Sequence, residues 1–178
     1  MSKLKLSDVS KVITKGTTPT TVGGLFLKSG INFVKSESIG QNKYLDDSIF
    51  QYIDIETDEK LKRSRLKEDD LLFSIAGAYL GKLSIVRKEN LPANTNQALA
   101  ILRINEGYIP YLTTVLKGQA VEDFIRRNPT IGAQPNLSLE QVNNLDISYP
   151  NYDEQVRIGQ YFSNLHHLIT LHQRLYVL

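Results

Sequence analysis

Several segments of the 178-residue chain carry residue types that could do chemistry. Gly77-Ala78-Tyr79-Leu80-Gly81-Lys82-Leu83 has the glycines and lysine of a phosphate-cradling loop. Its glycines stand one residue too close, however, and Leu83 occupies the place of the magnesium-binding Ser or Thr. The segment suits a tight turn between two strands, where glycine supplies positive φ. His166, His167 and His172 lie at separations of one, five and six residues, so no pair has the i, i+4 spacing with which two imidazoles share a metal on a helix. No metal site is expected. Asp58-Glu59-Lys60, with Asp46, Asp47 or Asp54 upstream, offers the acids and lysine of a divalent-metal nuclease, a pattern that acids beside lysines produce cheaply. There is no Gly-x-Ser-x-Gly elbow, no cysteine and no well-placed histidine, which leaves acyl transfer without a nucleophile and base.

A second set of residues suits reading rather than reacting. Polar, glycine-punctuated loops attached to strands run through Lys15-Gly16-Thr17-Thr18, Lys35-Ser36-Glu37-Ser38, Ser74 to Lys82, Asn94-Thr95-Asn96-Gln97 and Gly132-Ala133-Gln134-Pro135-Asn136. Asn and Gln can bond bidentately to adenine edges and Lys to guanine, while Ser, Thr and backbone amides suit phosphates. The candidate DNA-contacting residues are Lys15, Thr17, Thr18, Lys35, Ser36, Glu37, Ser74, Ala78, Tyr79, Lys82, Asn94, Thr95, Asn96, Gln97, Gln134 and Asn136. Any one of these loops, taken singly, is also ordinary turn chemistry.

Composition narrows the classes. The length allows one well-buried core with an appended helix. With 41% apolar and 22% charged residues the chain reads as globular, and no stretch approaches the roughly 20 apolar residues of a membrane helix. Neither a secretory signal nor a cysteine is present, which fits a cytoplasmic protein. The net charge of +2 is modest for a nucleic-acid binder, so its distribution matters more than its sum. Lys60, Lys62, Arg63, Arg65 and Lys67 form a dense basic run closed by Glu68, Asp69 and Asp70, and read as a solvated helix face ending in a turn.

The elements that must position these groups follow from periodicity. Leu6, Val9, Val12 and Ile13 have helical spacing, with Ser7 as N-cap. Residues 25–28 and 31–35 read as a small hairpin, and Ile49 to Ile55 as a strand covered on both faces. A short helix capped at Thr57-Asp58-Glu59 should stop near Leu66. Leu71 to Ile75, Leu83 to Arg87 and Gln97 to Ile104 are strands of a mixed or antiparallel sheet. Tyr108 to Arg127 reads as one helix with a Glu122–Arg126 pair, Ser138 to Gln141 as a capping box, and Leu145 to Tyr149 as a strand stopped by Pro150. From the capping box at Asn151 and Glu154 onward, Ile158, Phe162, Leu165, Leu168, Leu171 and Leu175 recur every three or four residues. That is a helix of about 38 Å, longer than a domain of this size needs for itself. The expectation is a mixed α/β (α+β) domain at 1–150 and a coiled-coil-like partner helix at 151–178.

In order along the chain, these segments resemble a target recognition domain of a type I restriction-modification specificity subunit. The opening from Leu6 to Pro19, with Lys15-Gly16-Thr17-Thr18-Pro19, resembles the family's domain start, and Gly30 to Lys35 its next strand. Leu66 to Ser74 and Gly77 to Ile85 resemble its strand, glycine turn and strand, and Asn94 to Ala98 its Asn-Gln-rich turn. The most specific part is Gln134-Pro135-Asn136-Leu137-Ser138, then Ile147-Ser148-Tyr149-Pro150, then Glu154-Gln155-x-x-Ile158 opening a long helix. The resemblance implies a non-catalytic reader of one half of a bipartite double-stranded DNA site, its helix acting as spacer and docking surface. It further implies methyltransferase subunits, a restriction subunit, and a second copy or second half of the specificity subunit as partners. S-adenosylmethionine, ATP and magnesium would belong to those partners, and this chain would hold no cofactor. The chain departs from the pattern in having one domain and one helix where a full subunit has two of each, and in ending Leu175-Tyr176-Val177-Leu178 where a lysine-rich end is usual. A half-length subunit pairing with its copy, or a truncated or shuffled gene, would explain both. The alternatives that residues alone leave open are the nuclease and a helix-mediated assembly module without DNA contact.

Overall fold

The computed structural model describes residues 2–40, 43–128 and 136–175. Apolar runs that must be covered on both faces form its centre. Strands β1 (Ser2–Lys5) and β2 (Ser10–Lys15) come first, then β3 (Ile31–Val34) and β4 (Gln51–Ile53), followed by helix α1 (Ile55–Lys60). Strands β5 (Leu71–Ser74), β6 (Leu83–Ile85), β7 (Ala93–Thr95) and β8 (Leu99–Ile104) complete the middle of the chain. Helices α2 (Ile109–Leu116), α3 (Gln119–Arg127) and α4 (Leu139–Asn143), strand β9 (Asp146–Tyr149) and helix α5 (Tyr152–Leu175) follow. The main sheet has the order β2-β8-β5-β6 and is antiparallel throughout. A second sheet, β4-β3-β7, pairs β3 antiparallel to β4 and parallel to β7, and β1 with β9 forms a two-stranded ribbon.

Alternation along the central strands divides the interior. Leu71, Phe73, Ala100 and Leu102 face a core shared with Leu112 and Leu116 of α2, Val121 of α3 and Val142 of α4. Leu72, Leu99 and Ile101 point the other way, into a core with Val34, Ile39, Phe50 and Leu66. Strands β5, β6 and β8, the capping box of α4 and the start of α5 match the sequence expectation. Ser138 Oγ accepts from Gln141 N at 3.1 Å while Gln141 Oε1 accepts from Ser138 N at 2.8 Å, and Asn151 Oδ1 accepts from Glu154 N at 2.9 Å.

Four local expectations are corrected. The opening is no helix: Leu6 and Val9 sit buried on a single 3-10 turn between β1 and β2, and Val12 and Ile13 belong to a strand paired with β8. The hairpin does not form, because both edges of β3 are taken by β4 and β7, leaving Leu27 a lone bridge to Tyr52. The strand from Ile49 to Ile55 shrinks to Gln51–Ile53. Asp46 accepts from Ser48 N to cap a 3-10 turn before it and Asp54 accepts from Thr57 N to cap α1 after it, so Ile49 and Ile55 lie exposed and Thr57 is interior to the helix. The helix from Tyr108 to Arg127 breaks at Lys117-Gly118 into α2 and α3, and Arg126 pairs with Asp123 at 2.5 Å rather than with Glu122.

Two polar devices hold the body in register. Asp70, with no exposure, receives Arg103 Nε at 2.8 Å, Arg103 Nη2 at 2.7 Å and the Lys67 amide at 2.8 Å. Gln155, 1% exposed, ties α5 to the body: its Oε1 accepts from Tyr108 N and its Nε2 donates to Pro150 O, both at 3.0 Å. At Gly159 a Cβ would stand 2.8 Å from Tyr111 N and 2.9 Å from the Tyr108 ring, so only glycine lets α5 lie this close to α2.

Burial raises the Asp70 carboxyl above its ordinary pKa, against the lowering effect of Arg103 and the Lys67 amide. Its titration therefore favours the fold in acid, an advantage lost as pH rises through the raised value. Arg103→Met, which orphans this carboxylate, should cost about 3–5 kcal/mol at neutral pH. Urea unfolding midpoints should show that deficit shrinking in acid, where the lone carboxyl takes a proton.

Candidate nucleic-acid interface

The ends of strands from distant parts of the sequence finish beside one another. Parallel pairing places Val34 opposite Thr95, so Lys35 and Asn96 leave β3 and β7 side by side, and Thr95 Oγ1 donates to Val34 O at 2.8 Å. The end of β2 joins them: Thr17 N donates to Thr95 O at 3.0 Å, and the Thr18 hydroxyl donates to Gln97 Oε1. This junction needs glycine at 16, where a Cβ would fall 2.0 Å from Thr95 O. On the other side Ile75 N donates to Ala98 O at 2.9 Å, and Ala76 bridges Asn136. Residues 15–18, 35–37, 76–79, 96–97 and 136 therefore line one rim.

What the rim presents differs from residue to residue. Lys15, Glu37, Ala78, Gln97 and Asn136 are exposed, and Thr17, Thr18, Lys35, Ser36, Tyr79 and Asn96 are half-buried. Lys35 is held with its Nζ 4.6 Å from the centre of the Phe26 ring, and Ser36 Oγ donates to Glu37 Oε2 at 3.3 Å. The turn between β5 and β6 has Gly77 at φ 75° and Gly81 at φ 80°, as a tight turn requires. Lys82 is exposed beside this turn, its carbonyl accepting from Ser74 N at 2.8 Å. Gln134 lies outside the described residues.

Three of the candidates do not face outward. Ser74, Asn94 and Thr95 are fully buried. Asn94 Nδ2 donates to Asp58 Oδ1 at 2.9 Å and its Oδ1 accepts from Ser64 Oγ at 2.6 Å, while Arg65 Nε donates to Asp58 Oδ2 at 2.7 Å. An amide that reads as a base-reading group in sequence is the centre of an interior network supporting the rim from beneath. A residue outside the candidate set takes a place there instead: Arg63 is exposed and its Nη2 donates to Thr17 Oγ1 at 3.3 Å. The basic run was its signal, but only the fold separates Arg63 from Lys60, paired with Glu56, and from Arg65, paired with Asp58 and Glu59.

The acids that a nuclease would need are engaged locally. Asp46 and Asp54 cap turns, Asp58 holds Arg65 and Asn94, and Lys60 pairs with Glu56 at 2.8 Å. Among the described residues no group of three acids or histidines could hold a metal ion, and no helix is long and apolar enough to cross a membrane.

Along α5, Ile158 packs into the core of the body and does not belong to a free stripe. Beyond it Phe162, Leu165, Leu168 and Leu171 are 40–62% exposed, and Tyr161 and Ile169 widen the apolar surface that they form. The Leu175 side chain lies outside the described residues.

The chain is thus a mixed α/β body with a loop rim at its strand ends and a helix whose surface beyond Ile158 is apolar. The family model of the type I restriction modification DNA specificity domain matches residues 1–177, and the chain belongs to that family. It is 28% identical over 136 residues to the type I restriction enzyme EcoBI specificity subunit of Escherichia coli, covering 74% of this chain and 28% of that one. A solved structure of a type I R-M system contains a chain similar over 97% of this one, with TM-score 0.73 and 18% identity, of which this chain covers 40%. The HsdS subunit of Thermoanaerobacter tengcongensis matches over 98% with TM-score 0.72 and 16% identity, this chain covering 44% of it. The S subunit of M. genitalium gives 0.61 and 14% over 97%, this chain covering 42% of it. The chain thus spans well under half the length of these relatives, and the structural likenesses establish the fold.

Asn94→Ala should lower stability by about 1–3 kcal/mol, because Asp58 and Ser64 are left together without their buried partner. The exposed Gln97→Ala should stay within about 0.5 kcal/mol of the parent in the same urea titration. The reverse order would place Asn94 outside the interior network.

Proposed function

We propose that this chain is a non-catalytic sequence reader for a type I DNA-modifying complex. Residues 1–150 read one half of a bipartite double-stranded site through the rim, and residues 151–178 serve as spacer and assembly helix. The observation that carries the reading is the convergence of four strand ends and the Ala76–Asn136 bridge on one exposed rim of amide, hydroxyl and cationic groups. Such a rim has the functions that groove reading needs. Lys15 and Lys35 can donate to guanine edges, Asn96, Gln97 and Asn136 can pair with adenine edges, and Arg63 with the threonine hydroxyls can hold phosphates. Adaptable loops on a sheet buried on both faces keep the fold independent of the sequence read.

The helix supports the second half of the reading. Its apolar surface from Tyr161 to Leu171 exceeds what a solvated helix carries by chance, and a second such helix is the natural cover, from another copy or from the other half of a longer subunit. Methyltransferase subunits dock on the helices and a restriction subunit joins them. Adenine methylation and cleavage of cytoplasmic DNA, with S-adenosylmethionine, ATP and magnesium, fall to those partners.

A genome-wide adenine-methylation map in a methylation-free host carrying the cognate methyltransferase subunit tests this directly. A split motif should appear only when this chain is present, palindromic if two identical copies pair. No new motif, with both proteins soluble, would remove the reading. In the same assay Lys35→Ala, Gln134→Ala and Asn136→Ala should each relax one motif position, at about 1–3 kcal/mol for each bidentate base pairing removed. Leu165→Asp with Leu168→Asp should leave the body folded and dissociate the helix pair, which sedimentation would register as a fall in mass.

A further inference from the structure

A charged trench lies outside the rim, formed by three adjoining hollows that share their lysines. Lys82 and Lys117 line the first, of about 280 Å³, Lys117 and Lys43 the second, of about 380 Å³, and Lys43 and Arg87 the third, of about 450 Å³. The second and third are closed on their far side by α5, with His166 in both and His167 in the third. Glu122 lines the first hollow, and among the described residues no acid lines the other two. Arg87 is partly balanced by Glu89 at 2.6 Å and Asp47 at 3.9 Å. Partial desolvation, and after it the like charges of Lys82 and Lys43, hold the Lys117 amine below its ordinary pKa.

Resting on the reading above, we infer that Lys82, Lys117 and Lys43 form a phosphate track that carries the DNA backbone from the reading rim toward α5. Continuity argues for it. Lys82 lies opposite Ser74, where β5 ends at the rim, so a duplex seated there continues over Lys117 at the end of α2 and then over Lys43. The form of the site argues for a polyanion: its cations are strung through open, linked hollows instead of converging on one closed pocket that would hold a single small anion. In the second hollow, apolar walls from Pro110 and Phe162 strengthen the charges of Lys43 and Lys117 by keeping water from one side. Bringing phosphates between the lysines relieves their mutual repulsion, and counterion release drives the association irrespective of sequence.

The test compares Lys43→Gln/Lys82→Gln/Lys117→Gln with Lys15→Ala/Lys35→Ala/Arg63→Ala, both in the full chain and both checked for unchanged thermal unfolding. The probe is a fluorescent duplex of mixed sequence titrated at several salt concentrations, followed by selection from a randomised duplex pool. For the track variant the slope of log affinity against log salt should flatten by about 0.9 for each phosphate no longer neutralised, about 2 to 3 in all, with the selected motif unchanged. A parental slope retained by the track variant but abolished in the rim variant would overturn the track and leave the reading intact. A changed motif in the track variant would make these lysines base readers and overturn the proposal equally. Unaltered DNA binding with failed capture of the methyltransferase subunit would assign the trench to an acidic protein surface. If the parent protein itself shows no salt-sensitive binding, the reading and the track fall together.

Discussion

The pairing of β3 with β7 is the constraint on which the rest of the structure depends. Parallel neighbours cannot be joined by a tight turn, so the chain between them must leave the sheet and return. It pairs β4 on the far edge of β3 and then leaves through α1, β5 and β6, an excursion that sets the second sheet against the main one. The pairing also sends Lys35 and Asn96 out in the same direction. Because β2 ends in backbone contact with Thr95, and β5 ends beside Ala98, the same few residues gather the remaining loops. The rim follows from a hydrogen-bonding pattern in which β7 is the common neighbour.

β7 is a poor sequence for that part. Ala93-Asn94-Thr95 has little apolar area, yet all three residues are buried. The cost of burying an amide and a hydroxyl is met by giving each a partner: Asn94 bridges Asp58 and Ser64, and Thr95 returns its hydroxyl to Val34. Arg65 completes the network by neutralising Asp58, and so part of the basic run faces inward for structural reasons. A hydrophobic strand could fill the same volume, but directional bonds fix β7 in register along its axis as well as in depth.

This explains which features are legible in sequence. Elements declared by local chemistry are readable: the apolar runs of β5 and β8, the reciprocal cap at Ser138 and Gln141, the Asn151 cap of α5. Features decided by distant partners are not. The segment before β3 looks like half of a hairpin until β4 and β7 occupy both edges of β3, and Asn94-Thr95 looks like a turn until Asp58 is brought beneath it. The break between α2 and α3 had a local mark in Gly118, which a strong apolar stripe overrode. Of the candidate loops, the glycine turn and the 15–18, 35–37 and 96–97 segments are brought together, while inward and outward residues within them could not be separated without the fold. Ile158 shows the same limit on α5, where a periodic stripe is shared between the body and the outer surface.

Net charge is the least informative number the chain offers, and the structure shows why. Most of its arginines are committed to acids: Arg65 to Asp58 and Glu59, Arg103 to Asp70, Arg126 and Arg127 to Asp123, Arg87 to Glu89. These pairs cancel in the sum and do so locally, Arg65 and Arg103 as ties within the body and Arg126 and Arg127 along the surface of α3. Lys15, Lys35, Lys43 and Lys82 enter none of those pairs, so cationic groups remain at the rim and in the trench although the sum is only +2. The division of labour follows the chemistry of the two cations. Arg suits fixed, forked pairing such as that of Arg103 with Asp70, and Lys, a hydrated point charge on a flexible stem, suits a surface that meets a polyanion, where Arg63 joins it.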